Sequence, residues 1–172
     1  AGYIVERVSK LPFETYVERH SFQPALMQNS SVRQPVPEPL AGQVAKSYDK
    51  SGTTQVPYDY ISPIPAGALS ATAQDMGLFM QAFMASGQDD VTPLLARKTR
   101  QQMLSYSAPH AHGMKAMALG FFRSEEQGLQ LWEHSGNTRS YHSHLLLVPE
   151  FGAGLFVSIG SAAGRAQAYE LR

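Results

Sequence analysis

Apolar residues recur at helical spacing through the first part of the chain. Ile4, Val5 and Val8 share one face of a helix that runs from the first residue, with no capping residue ahead of it. Pro12 can open a second helix, in which Phe13, Tyr16, Val17 and His20 follow the i, i+3, i+4, i+7 pattern. Between Gln28 and Pro65 this periodicity fails. Pro35, Pro37 and Pro39 interrupt the segment, and Gly42 and Ser51–Gly52 mark turns around a short strand at Val44–Tyr48. So long a connection inside a compact domain is often a binding loop. Helical spacing then returns. Met76, Phe79, Met80, Phe83 and Met84 form a single apolar stripe, the signature of a helix that faces a core. Ser70 or Thr72 can cap that helix, Asp75 follows Thr72 by three as in a capping box, and Gly87 can end it. Thr92–Pro93 supplies a cap and a first-turn proline for a further helix reaching about Ser105.

The pattern then becomes strand-like. Met117–Arg123 and Leu129–His134 are candidate strands joined by a Glu-Glu-Gln-Gly turn. Tyr141–Val148 and Gly154–Ile159 flank Pro149-Glu150-Phe151-Gly152, a tight connection. Leu145 to Val148 are apolar on consecutive positions, so both faces of their strand should be covered. The expectation is an α+β fold, an antiparallel sheet flanked by helices, with residues 1–172 forming part of one domain. Arg165–Arg172 is again helical in pattern. A chain that enters and leaves in mid-helix reads as a piece of something longer.

Composition narrows the chemistry. Hydrophobic residues make up 43% and charged residues 16%, which suits a buried core. Lys+Arg and Asp+Glu both number 14, so no net charge draws the chain toward nucleic acid or an anionic membrane. The lack of Cys removes disulfides, thiolate catalysis and zinc–thiolate sites together. The longest apolar runs, Leu145–Val148 and Leu155–Val157, are too short to cross a bilayer, and no signal segment opens the chain.

Four stretches carry a pattern when taken in order. The first is Ala-Gly-Tyr-Ile-Val-Glu-Arg-Val-Ser with Pro12–Phe13 and Tyr16–Val17. The second is Pro65-Ala-Gly-Ala-Leu-Ser-Ala-Thr-Ala-Gln-Asp-Met76 followed by Phe79–Met80. The third is His134-Ser135-Gly136. The fourth is Leu-Leu-Leu-Val-Pro-Glu continuing into Gly-Leu-Phe-Val-Ser. The set resembles the serine β-lactamase-like superfamily, which includes class C β-lactamases, D-Ala-D-Ala carboxypeptidases and related esterases. The third stretch stands in the place of that family's Lys-Thr-Gly or His-x-Gly box.

The resemblance implies nucleophilic acyl transfer. In the family a Ser at a helix start attacks a carbonyl, a Lys one turn later helps activate it, and a Tyr from a Tyr-x-Asn loop carries the proton. The third box lies on a strand edge facing the nucleophile. Carried onto this chain, His134 sits beside the substrate, Ser135 contacts a substrate carboxylate or carbonyl, and Gly136 allows close approach of the acyl group. The backbone N–H of Asn137 is the candidate oxyanion donor. His in place of Lys removes a permanent charge and weakens any specific case for β-lactamase activity.

The only Ser-x-x-Lys string, Ser47-Tyr48-Asp49-Lys50, lies in a segment broken by Pro and Gly rather than on a helix, and it stands in the wrong order relative to the other motifs, after the first stretch. The nucleophile is therefore expected upstream, on the N-terminal half of the same domain, and the chain alone should be inactive. An exposed apolar seam should mark where that half belongs and could support self-association. The substrate class implied is a small molecule or peptide with a reactive acyl group. No cofactor is implied. Family members are commonly periplasmic or secreted.

Two other chemistries compete. A non-catalytic binding domain of the same fold would share every motif above. A metal protein would use His110 with His112 or His142 with His144, since i, i+2 spacing on a strand puts both rings on one face. No acidic residue stands close to either pair, so His142 and His144 read as packed or hydrogen-bonded strand residues. His110 and His112, in a loop after Pro109, and Tyr58 and Tyr60, in the long connection, are candidates to line the substrate cleft.

Overall fold

The computed structural model describes residues 1–85, 93–105 and 116–169. Two helices open it, α1 (Gly2–Ser9) and α2 (Phe13–Val17). The second passes directly into a π-helical turn over Glu18–Phe22, which carries His20 beneath the ring of Tyr16, 4.4 Å between centroids. The long connection holds the short helices α3 (Glu38–Ala41) and α4 (Ile64–Gly67) and a two-stranded ribbon, β1 (Ser47–Tyr48) with β2 (Gln55–Val56). The strand expected at Val44–Tyr48 thus shrinks to its last two residues.

The Met/Phe stripe forms α5 (Ala73–Met84). Its cap is Thr72, whose Oγ1 accepts the Asp75 N–H at 3.1 Å, whereas Ser70 instead pairs with Ser31 across an isolated bridge. Asp75 does not complete a reciprocal capping box. Its carboxylate is buried and accepts from the Asn29 N–H and the Ser30 hydroxyl, each at 2.7 Å, tying the 29–30 loop to the helix start. At the other end, Arg100 of α6 (Arg97–Ser105) donates to the carbonyls of Phe83 and Ala85. A guanidinium there satisfies carbonyls that the ended helix leaves without intrahelical donors. Pro93 is not in the first turn of α6, which starts only at Arg97, and α5 ends at Met84, short of Gly87; Gly87 and Thr92 themselves fall outside the described residues.

Five antiparallel strands follow in the order β3 (Ala116–Met117), β4 (Phe122–Glu126), β5 (Leu129–Asn137), β6 (His142–Val148) and β7 (Ala153–Ile159). The single strand expected over Met117–Arg123 is two strands. Gly120 takes φ 84°, and Ala118 donates to Phe121 O at 2.7 Å, closing a turn that tucks both of those apolar side chains into the core. Gln127 and Gly128, at φ 52° and 82°, make the two-residue β4–β5 hairpin, with both central residues left-handed as a type I′ turn requires. Pro149–Phe151 forms a 3₁₀ turn between β6 and β7, and α7 (Arg165–Tyr169) closes the described chain.

Cross-strand pairing sorts the sheet into two faces. Trp132 opposes Leu147, and His134 opposes Leu145, which in turn opposes Phe156. This face packs on Met76, Met80 and Phe83 of α5 in one cluster that also takes Leu104 of α6. Leu147 is fully buried there. α5 lies so close to β7 that a Cβ on Gly154 would sit 2.7 Å from the Met80 sulfur. The opposite face carries Leu131, Glu133, Ser135, His142, His144 and Leu146, and α7 covers its β6–β7 side, where Ala168 is buried. Toward β4 the same face holds a groove of about 260 Å³ lined by Leu129, Leu131, Leu146, Val148 and the stems of Glu126 and Glu133.

Candidate functional site

The sequence-predicted box occupies the outer end of β5. Within the sheet, β4 stops at Phe122, opposite Glu133, while β6 continues beside β5 to the pair Asn137–His142. No strand among the described residues runs along the other edge of 134–137. The direction of the backbone groups there follows from the ladder. Thr138 N–H bonds to Tyr141 O at the turn, so the Thr138–Tyr141 pair is a hydrogen-bonded one. Hydrogen-bonded and non-bonded pairs alternate in an antiparallel ladder. Gly136 and His134 therefore also bond toward β6, while the N–H and C=O of Ser135 and Asn137 point to the outer edge. The two-residue β4–β5 hairpin gives the same parity, because it makes Glu126–Leu129 a bonded pair and hence Phe122–Glu133 as well.

The four side chains divide by face. His134 is exposed, with its ring 6.2 Å from that of Phe122. Gly136 lies on the same face. Among the described residues a Cβ there would meet nothing closer than Ser143 Cβ at 3.9 Å, and its φ is not left-handed, so neither their packing nor backbone strain calls for glycine. Ser135 and Asn137 look to the other face. The Ser135 hydroxyl is 3.0 Å from His144 Nδ1, and Asn137 Oδ1 is 2.7 Å from His142 Nδ1.

Below the strand these contacts extend into a buried polar chain. His144 Nε2 lies 3.4 Å from the Glu133 carboxylate, which accepts from the Ser124 hydroxyl at 2.9 Å. His142, His144 and Glu133 are all buried. Burial, with the charge of Arg165 adding to it, holds the His142 imidazole below the usual histidine range. Both rings of the His142/His144 pair share a face, as their spacing implies, and both are hydrogen-bonded strand residues. No cluster of three or more His, Asp or Glu suited to a metal ion occurs among the described residues.

Tyr58 and Tyr60 sit beside the β5–β6 turn. The Tyr58 hydroxyl is 2.7 Å from Ser70 Oγ, and its ring lies between Tyr60 and Tyr141 at 5.4 and 6.0 Å. Tyr60 is 65% exposed. His110 and His112 lie outside the described residues. Ser47 of the Ser-x-x-Lys string is a buried strand residue, 3.0 Å from Ser140 Oγ, and Lys50 is in a turn, so no helix face unites them.

One residue escaped the sequence reading. Asp59 Oδ2 accepts from Thr138 Oγ1 at 2.8 Å and from both the N–H and the hydroxyl of Ser140 at 3.0 Å. Its Oδ1 lies 3.3 Å from the Arg139 guanidinium. Burial pushes this carboxyl up, but the Thr138 and Ser140 hydrogen bonds and Arg139 outweigh it and hold it below the ordinary range. The only available signal was Asp beside aromatic residues in a long loop, which by itself distinguishes nothing.

A family model described as Beta-lactamase matches residues 1–166. No curated protein matches the sequence. Among solved structures, the penicillin-binding protein of Bacillus halodurans aligns over 98% of this chain and 51% of its own, at 23% identity and TM-score 0.75. A D-stereospecific amidohydrolase from Streptomyces sp. aligns over 97% of this chain and 49% of its own, at 20% identity and TM-score 0.72. A β-lactamase/D-alanine carboxypeptidase from Pseudomonas syringae aligns over 94% and 52%, at 14% identity and TM-score 0.75. The chain thus spans about half the length of these structures.

Proposed function

The chain belongs to the beta-lactamase family, and from that premise we propose that it is the part of a serine acyl hydrolase that builds the oxyanion wall of the cleft. The observation that carries this reading is the outer end of β5. By the ladder's alternation its Asn137 N–H is directed to the outer edge, next to a glycine, with an exposed imidazole on His134 two residues before that glycine.

In this reading a carbonyl carbon lies above Gly136 and its oxygen meets the Asn137 N–H. As a seryl oxygen attacks, negative charge grows on that oxygen, and a fixed N–H stabilises it more in the transition state than in the ground state. His134, beside the reacting atoms, donates to or accepts from the groups that shuttle the proton. The attacking serine and its activating lysine come from polypeptide outside these 172 residues. Half-length coverage of the solved structures supports that division. The substrates we propose are β-lactams, peptides ending in D-amino acids, or small esters, and the isolated chain is inactive.

A fluorescent penicillin and a fluorophosphonate probe test this. Both should label the full-length protein on a serine outside residues 1–172 and leave the isolated chain unlabelled. Labelling at Ser47 would overturn the assignment. If neither form is labelled, the fold serves as a non-catalytic binding domain instead. In the full-length protein, His134→Ala should slow acylation by about 100-fold, in the range expected for loss of a proton-transfer group, with thermal stability unchanged because the ring is exposed.

A further inference from the structure

We propose that Asp59 is a positioning residue of the acyl-transfer site, clamping the β5–β6 turn so that the Asn137 N–H keeps its aim. The inference rests on the oxyanion role given to that N–H above. It deepens that role by naming what fixes the turn that directly follows that donor.

The outer end of β5 has two sources of looseness. Among the described residues it pairs with β6 alone, and it contains Gly136, whose backbone lacks the Cβ that would restrict it. The residues that follow are correspondingly well tied. Thr138, Arg139 and Ser140 all direct a donor or a positive charge at one carboxylate, that of Asp59, some 80 residues earlier in the chain. The Asp59 side chain is only 10% exposed. Thr138 Oγ1 in turn accepts the Tyr141 N–H at 3.0 Å, so the carboxylate organises every residue of the turn. The far side is anchored as well. Ser140 is buried against Ser47, and the Tyr141 hydroxyl donates to Ala45 O.

All the partners of Asp59 are donors or cations, so the site needs an acceptor with no hydrogens of its own. Asparagine has the same shape, but its amide oxygen in the place of Oδ2 makes neutral rather than charge-assisted hydrogen bonds, and its N–H₂ then faces the Arg139 guanidinium. Asp59→Asn is therefore a test of charge and hydrogen bonding at constant volume. Loss of the clamp acts on the donor one residue before the turn and leaves His134 and the Gly136 clearance in place. Ground-state contacts should survive while the transition-state contact weakens.

In the full-length protein, Asp59→Asn should lower kcat for an acyl substrate by about tenfold or more, as misplacement of a reacting geometry does, with KM within about twofold. Affinity for a boronic acid that mimics the tetrahedral adduct should fall by the same factor as kcat. Ser140→Ala, which removes one of the four contacts, should give a smaller change in the same direction. Hydrogen exchange at the Ser140 and Tyr141 amides should quicken in both variants. An unchanged kcat in a folded Asp59→Asn protein, or a rise in KM with kcat preserved, overturns the proposal. If the wild-type protein acylates nothing, the reading of the cleft fails by itself. The clamp then stands or falls on exchange, and unaltered exchange at Ser140 and Tyr141 ends it.

Discussion

At Trp132 and Glu133, β5 has β4 on one side and β6 on the other, with Leu129 to Leu131 paired to β4 alone, whereas among the described residues His134 to Asn137 pair with β6 alone. The inner half packs Trp132 against the helices and donates its indole N–H to Leu104 O. The outer half exposes His134, Gly136 and Asn137. Among the described residues one strand thus has a neighbour on one side only where the proposed function needs backbone groups, and it is steadied there by side chains. Ser135 rests on His144, Asn137 on His142, and the turn beyond on Asp59. The two halves should answer differently to substitution, by stability on the inside and by activity on the outside.

The sharpest contrast is with the strand next door. Leu147→Ala, opposite Trp132 and fully buried, should cost about 4 kcal/mol by urea unfolding, as large-to-small changes in a tight core do. A loss under about 1 kcal/mol would show that the inner half is not the support assumed here. Glu133→Ala, at the junction of the halves, removes a buried carboxylate from His144 and Ser124. It should cost about 3 kcal/mol, chiefly through the polar groups stranded behind it.

Acid titration separates two supports of the outer half by window. The folded His142 imidazole titrates below the usual 6.5, so the unfolded chain takes up that proton first. Stability is whole above about pH 6.5 and falls as pH drops through the lower folded value. His142→Gln should flatten this part of the unfolding curve. Asp59 is likewise held below its usual 3.8, so its contribution is intact above that pH and is lost only at more acid values. Asp59→Asn should leave the upper window untouched. The smallest change expected in stability is for Gly136→Ala, within about 0.5 kcal/mol, because space for a methyl group exists. Acylation by the full-length protein should nonetheless fall about tenfold. A Gly136→Ala protein that is destabilised but fully active would reverse the comparison.

Elements with a local cause could be read from the sequence. The α5 stripe, the Thr72 cap, the Gln127–Gly128 hairpin and the shared face of His142 and His144 all follow from spacings of a few residues. The β5 box could be recognised, but its extent could not. Nothing between His134 and Asn137 signals that β5 continues past the end of β4, since strand length depends on what pairs beside it. The break at Gly120 was hidden because Ala118 and Phe121 are both apolar and fit a continuous strand pattern. Asp75 looked like a capping acid and proved to be a tether to Asn29 and Ser30, partners more than 40 residues distant. The Asp59 clamp joins residues about 80 apart and leaves no periodic trace at all.

The polar chain running from Ser135 through His144 to Glu133 lies on the side of the sheet away from His134. Scaffold and reagent are thereby uncoupled. An ammonium or a neutral side chain could replace the imidazole at position 134 without disturbing the groups that fix the strand. Under the proposed function, the charge offered at that position is then free to vary while the frame stays put.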